Sequence, residues 1–196
     1  MKKTNKGVIK RAIVTPDKHF PLHDQKAINV VCKAIKIVKP DIYIDLGDTG
    51  EWDLFSNHHW RKYDKPPDDL LIPMLDKSVK QVNKGMDQID KFLEKVKCKE
   101  RYFMQGNHEE WLDTYAKKYS RPRFLTQNAL RLKERGYEFH PYGRKIPLKI
   151  GKLNFKHGHR TGMHHAKAHL AMYGESVMYG HTHDLQRHTH TSLGGT

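Results

Sequence analysis

The sequence predicts an α/β fold, and three observations carry that expectation. Short apolar runs of strand length alternate with helical repeats through the first half of the chain, the runs break off in polar residues, and a hairpin signal follows in the second half. Alternation of this kind builds a sheet with helices packed against it.

The first strand is predicted over 8–15, where Ala12, Ile13 and Val14 run into Pro16, leaving Asp17 and His19 at a strand's carboxyl end. Ala27, Ile28, Val31, Ala34, Ile35 and Val38 then recur at helical spacing, with Asp24 as N-cap and Pro40 as stop. A second strand over 41–46 ends in Gly47 and Asp48. Residues 51–69 lose all period. With Trp52, Phe55, His58, His59, Trp60, Tyr63 and the Pro66-Pro67 pair, they read as an inserted loop or small cap. Leu75, Val79, Val82, Met86, Ile89, Leu93 and Val96 mark a long amphipathic helix, followed by a strand over 101–104 that runs into Gly106, Asn107 and His108. Helices are predicted over 111–119 and 126–135, the latter closed by Gly136. Strands over 137–140, 145–150 and 152–156 follow, the last two joined at Gly151 and leading to His157-Gly158-His159. Ala166, Leu170 and Tyr173 predict a short helix that Gly174 ends. A strand over 177–179 then enters Gly180-His181-Thr182-His183, and 185–191 read as a return strand.

At 196 residues the chain is expected to form one domain, because its apolar residues, only 37% of the total, fall in ordered runs. Cys32 and Cys98 stand far apart with no Cys-x-x-Cys spacing, which argues against a disulfide framework or a thiolate zinc site and fits a reducing cytosol. No signal-peptide pattern or membrane-length apolar run is present, so a soluble, cytoplasmic protein without a membrane partner is expected. The sequence specifies no oligomeric state. Residues 192–196 follow closely on the last motif, so that edge is expected to be covered by a partner or by further chain. A formal net charge of +14 makes nucleic acid a candidate partner; the competing reading is that Lys33, Lys36, Lys39 and their like merely solvate outer helix faces.

Five polar clusters stand at or just after predicted strand ends: Asp17-Lys18-His19, Gly47-Asp48, Gly106-Asn107-His108-Glu109, His157-Gly158-His159 and Gly180-His181-Thr182-His183. Functional groups gather outside the carboxyl ends of strands in α/β sheets, so clusters far apart in sequence converge. Carboxylate, amide and imidazole without thiolate suit divalent ions, Mn²⁺ first, with Fe, Zn, Co or Ni as alternatives. The donors suffice for two ions, roughly 3.5–4 Å apart in such centres, with Asp48 as the shared bridge.

In this order the clusters resemble the calcineurin-like metallophosphoesterase superfamily, whose members carry Asp-x-His, Gly-Asp, Gly-Asn-His-(Asp/Glu), a lone His and Gly-His-x-His. The resemblance spans Asp17 to His183, nearly the whole chain. It implies a four-layer α/β/β/α sandwich with two mixed sheets. It also implies one metal on Asp17, His19 and His183, a second on Asn107, His157 and His181, and Asp48 on both. His108 would stay off the metals beside the leaving group, with Glu109 as an orienting partner, while metal-activated hydroxide attacks a phosphate ester. The stretch Gly47-Asp48-Thr49-Gly50-Glu51-Trp52-Asp53 departs from Gly-Asp-x-Val-Asp-Arg-Gly and lacks the phosphate-binding Arg of the protein phosphatases. With the closing His181-Thr182-His183, the layout is most similar to short phage-encoded members, whose setting would be the host cytoplasm. The expected substrate is a phosphodiester of nucleic acid or nucleotides. The alternatives are a phosphomonoesterase or Ser/Thr protein phosphatase, and a scaffold that retains metals without turnover.

Asn107, His159 and Arg160 are candidate substrate contacts, Arg160 because guanidinium grips phosphate bidentately. His165 and His169 lie one helical turn apart but lack the intervening Glu of the metalloprotease pattern, so they read as ordinary helix residues. His188 and His190 would share one face of the return strand. The aromatics between Trp52 and Tyr63 either stack bases or pack the loop onto the core.

Overall fold

The computed structural model describes residues 9–56, 66–143 and 147–191. Strands β1 (Ala12–Thr15), β2 (Ile42–Asp45), β3 (Glu100–Met104) and β4 (Tyr137–His140) form one sheet in that order. Each pairing is parallel, with Thr15 opposite Asp45 and Asp45 opposite Phe103, so the carboxyl ends of β1, β2 and β3 share an edge. Where the resemblance implies two mixed sheets, this one is parallel among the described residues. Its helical crossovers α1 (Gln25–Val38) and α2 (Asp68–Lys95) return the chain to the starting edge before each new strand. The second sheet, β5 (Leu148–Ile150), β6 (Leu153–Lys156) and β7 (Val177–Tyr179), is mixed. Its β5–β6 hairpin is antiparallel, and β7 joins β6 in parallel after α5 (His165–Tyr173).

Strand periodicity sorts the side chains of β2 between two cores. Tyr43 packs with Ile28 and Ile35 of α1 and Met86 and Leu93 of α2, whereas Ile42 and Ile44 face Phe155 of β6. Both faces of the parallel sheet are therefore covered, which is why its central strand is apolar throughout. Helices, parallel sheet and second sheet stack as three layers, and α5 packs against β7.

Local signals act as expected at α1, where the Asp24 carboxylate accepts from the Lys26 and Ala27 amides and Lys39 closes the helix in a left-handed conformation. Its outer lysines Lys33, Lys36 and Lys39 are exposed. The long helix begins earlier than predicted, at Asp68, because Leu71 continues the stripe of Leu75, Val82 and Met86. Trp52, 1% exposed, and Phe55 belong to the helical core, and this decides the Trp52–Tyr63 question for those two in favour of packing; His58, His59, Trp60 and Tyr63 lie outside the described residues.

Two predicted elements are corrected. The helix expected over 126–135 is only α4 (Thr126–Ala129), because Arg131 takes a left-handed conformation, φ 52°, that a right-handed helix cannot contain. Asn83 Nδ2 donates to the Ala129 oxygen, Arg135 Nε to Leu130 and Arg101 Nη1 to Arg135. Residues 185–191 form no strand, so His188 and His190 share no strand face; the side chains of Asp184 and Gln186 bond to α5 and the loop before it instead. No helix among the described residues is long and apolar enough to cross a membrane. Cys32 and Cys98 are buried and free.

Candidate metal centre

The carboxyl edges of the two sheets meet. Lys156 lies opposite Tyr179, so His157 and Gly180 leave the second sheet side by side, with the Gly180 amide donating to the His157 carbonyl at 2.8 Å. The His181 amide donates to both oxygens of Asp17 at 3.0 and 2.9 Å, and His157 Nδ1 donates to the Leu46 carbonyl at 2.8 Å. Loops 164 residues apart are thereby joined.

Donors converge in four overlapping groups, two of which, His19 with Asp48 and His108 and Glu51 with Asp53 and His108, include His108. Asp17, His19 and His183 bring one ligand atom each within 4.8 Å of one another, and Asp48, His157 and His181 do the same. Ligands about 2.1 Å from one cation, at angles between square and tetrahedral, stand roughly 3.0–3.4 Å apart. His19 Nε2 to His183 Nε2 is 3.1 Å, His157 Nε2 to Asp48 Oδ2 is 3.2 Å, and His157 Nε2 to Asn107 Oδ1 is 3.0 Å. Asp48 Oδ2 also lies 4.0 Å from His19 Nε2, so Asp48 stands between the groups.

Tautomers follow from the acceptors. His157 Nδ1 faces a carbonyl and His19 Nδ1 faces Glu51 Oε2 at 2.9 Å; neither oxygen can donate, so each Nδ1 carries the proton. Both Nε2 lone pairs are left for a cation, the arrangement that holds ligating imidazoles in place. The donor set fits divalent metal on this observation.

Backbone strain concentrates at the same positions. Asp17, His19, Asp48, His181 and His183 all have positive φ, between 46° and 77°. Each costs about 1–3 kcal/mol and persists only where surrounding contacts impose it. Those contacts are visible at Asp48. The buried Glu109 carboxylate accepts from the amides of Asp48, Thr49, Gly50 and Gly106, at 2.8 to 3.0 Å. A Cβ on Gly106 would fall 2.1 Å from Asp48 Oδ1, so only glycine permits the approach. Beneath the loop, Lys18 Nζ and Asp45 Oδ1 form a buried ion pair at 2.6 Å, and the same oxygen accepts from the Gly47 amide and the Thr49 hydroxyl.

Glu109 is thus a loop clamp, and the partner beside His108 is Glu51. Its Oε1 lies 3.2 Å from His108 Nδ1, and its other oxygen holds His19. Burial would raise the Glu51 carboxyl, but His108 and then His19 outweigh it and hold it at about 2. For His108, burial works against protonation; Glu51 and then Asp48 overcome it and raise its pKa. The His108 ring also packs on Trp111 and, edge-on, against His19. Burial of Asp48 opposes ionisation, yet His157 and His108 bring its pKa below the usual value. His181 is lowered by burial and then by His157, toward the neutral form that ligates. In a chain of net charge +14, the centre gathers Asp17, Asp48, Glu51 and Glu109.

The seven predicted ligands Asp17, His19, Asp48, Asn107, His157, His181 and His183 all come together. Arg160 is exposed on the loop between β6 and α5. His159 turns toward α5, its amide 3.3 Å from His169 Nε2 and its ring edge-on to His169. His165 and His169 are buried residues of α5: His165 bonds Tyr179 and Asp184, while His169 Nδ1 donates to the His165 carbonyl. Sequence reasoning missed Glu51, Trp111 and the Lys18–Asp45 pair. Glu51 carried one signal, an acid three residues after Asp48 on the same loop. No protein-family model matches the chain, and neither does any curated protein or solved structure.

Proposed function

We propose that the chain is a two-metal phosphoesterase of the calcineurin-like metallophosphoesterase type, acting on phosphodiesters of nucleic acid or nucleotides. The observation that carries this reading is the convergence of Asp17, His19 and His183 with Asp48, His157 and His181 into two adjacent donor groups. The three stacked layers with α5 against β7 support reading the fold as an α/β/β/α sandwich.

Asp17, His19 and His183 would hold one divalent ion; Asn107, His157 and His181 would hold the other; and Asp48 would serve both. Bound there, the ions, Mn²⁺ by preference, supply Lewis-acid activation of water and neutralise phosphate charge. The chain's own residues do the rest. The water would give up one proton to solvent and its oxygen bond to phosphorus as the bond to the leaving alcohol breaks, while His108 donates the proton that the departing oxygen takes up and is reprotonated from solvent. Glu51 raises the pKa of His108, toward the form that can donate, and fixes the His19 ring, and Glu109 holds the Asp48 loop at its strained φ. No covalent intermediate on the protein is required.

The preference for diesters rests on the loop from Gly47 to Asp53, which lacks a phosphate-gripping Arg, and on the net charge. Purified protein with Mn²⁺ is expected to hydrolyse bis(p-nitrophenyl) phosphate, with a large loss in His108→Ala. Undiminished turnover in that variant would remove the role assigned to His108. Faster turnover of p-nitrophenyl phosphate would move the reading to a monoesterase. Stoichiometric metal without hydrolysis of either ester would leave a metal-holding scaffold.

A further inference from the structure

Cavities away from the metal centre differ in the charge of their walls. Those of about 500 and 310 Å³ beside α2 mix cations with Asp76, Asp87, Asp90, Glu94 and Glu134. Two others, of about 390 and 250 Å³, lie between α5 and residues 186–190 and share Gln186, Arg187 and His188. Their walls hold no carboxylate; His164, Lys167 and His190 complete the basic lining. Among the described residues no acid pairs with Lys167 or Arg187, both exposed.

This double groove is built onto the metal centre. Tyr179, in its wall, precedes His181 by two residues, and Asp184 follows His183 directly. Asp184 Oδ2 holds His165 Nε2 at 3.0 Å. Gln186 accepts from the Ala166 amide and donates to the Met163 carbonyl, both at 2.8 Å. Leu185, next to Gln186, is fully exposed, and Met163, whose carbonyl Gln186 holds, is 84% exposed. Two exposed apolar side chains thus belong to residues that adjoin or bond to Gln186 of the groove wall, whose Lys167 and Arg187 have no acid partner among the described residues.

We propose that this groove binds single-stranded nucleic acid, with Lys167 and Arg187 on backbone phosphates and Leu185 and Met163 against the faces of unstacked bases. Cations with no acid paired to them suit a polyanion. Exposed Leu185 and Met163 favour a single strand, whose unstacked bases offer apolar faces that a duplex keeps stacked. The proposal deepens the phosphodiester reading and rests on it for the fate of the strand, not for its binding.

The test is fluorescence anisotropy with the full chain as purified, no metal added, using a labelled oligo-dT of about 12 nucleotides, within the usual span of single-strand sites. A hairpin duplex is the competitor probe. Wild type is expected to prefer the single strand. Lys167→Ala with Arg187→Ala should weaken binding roughly tenfold and flatten the salt slope by about 1.4, the loss of two phosphate contacts. Lys80→Ala with Lys84→Ala, in the acid-containing cavity beside α2, should leave both unchanged. An unchanged affinity and slope in the first variant, an equal loss in the second, or tighter binding of the duplex would each overturn the proposal. Hydrolysis of bis(p-nitrophenyl) phosphate by wild type is measured in parallel. Groove-dependent binding without hydrolysis would keep the surface and remove the phosphoesterase reading.

Discussion

Asp48 stands between the two donor groups, its Oδ2 facing His157 at 3.2 Å and His19 at 4.0 Å while Oδ1 takes the His108 amide. Asp48→Asn keeps the shape and removes the charge. It is expected to lower bound Mn²⁺ and to slow ester hydrolysis by about 100-fold or more, beyond the loss typical of an outer partner, as metal analysis and initial rates would show. Glu51 is such an outer partner, and Glu51→Gln should cost about 10–100-fold in metal affinity or rate. Its pH signature is distinct. The folded carboxyl sits at about 2, below the ordinary 4.5, so its contribution to stability is complete above the ordinary value and is lost as pH falls toward 2. Thermal melting of metal-free protein from pH 6 to pH 3 should therefore show wild type losing more stability than Glu51→Gln. Parallel curves would contradict the Glu51–histidine contacts.

The loops carry the site, and the elements beneath them set the strain. Glu109 opens α3 (Asn107–Lys118) and reaches back to four amides, so one helix end fixes the geometry of a loop about 60 residues away in sequence. Gly106→Ala tests that closeness. The added methyl would meet Asp48 Oδ1 at 2.1 Å and the Asp48 amide at 2.4 Å, and overpacking of this kind costs about 1–3 kcal/mol. A lower melting temperature together with lost Mn²⁺ binding is the expected result; a variant that binds metal normally would show that the loop relaxes freely. At this scale the sequence was legible wherever a local signal decided the outcome, as with the Asp24 cap, the Gly174 stop and the two-sided apolar run of β2. It was not legible at 126–135. There Arg131 takes a left-handed conformation that no local pattern announces, and two of the side chains bonding to the segment's carbonyls, those of Asn83 and Arg101, come from far along the chain.

The whole molecule is organised around one seam, where the parallel sheet supplies Asp17, His19, Asp48 and Asn107 and the second sheet supplies His157, His181 and His183. On the proposed reading, metal bound across that seam would stabilise both sheets at once. Chelation should lower the melting temperature and Mn²⁺ restore it, with a gain of about 2.7 kcal/mol at a free concentration a hundredfold above Kd. Calorimetry with and without chelator measures this, and coincident melting curves would deny metal a place at the seam. By itself the sequence determined the donor types, their order and their position at strand ends, because strand periodicity and punctuation by glycine are local properties. Only the tertiary structure decided that Glu51, not Glu109, stands beside His108, that Trp52 belongs to the core, and that the histidines of α5 are buried. Each of these depends on which distant surfaces pack together, a matter of long-range contact that residue spacing does not encode.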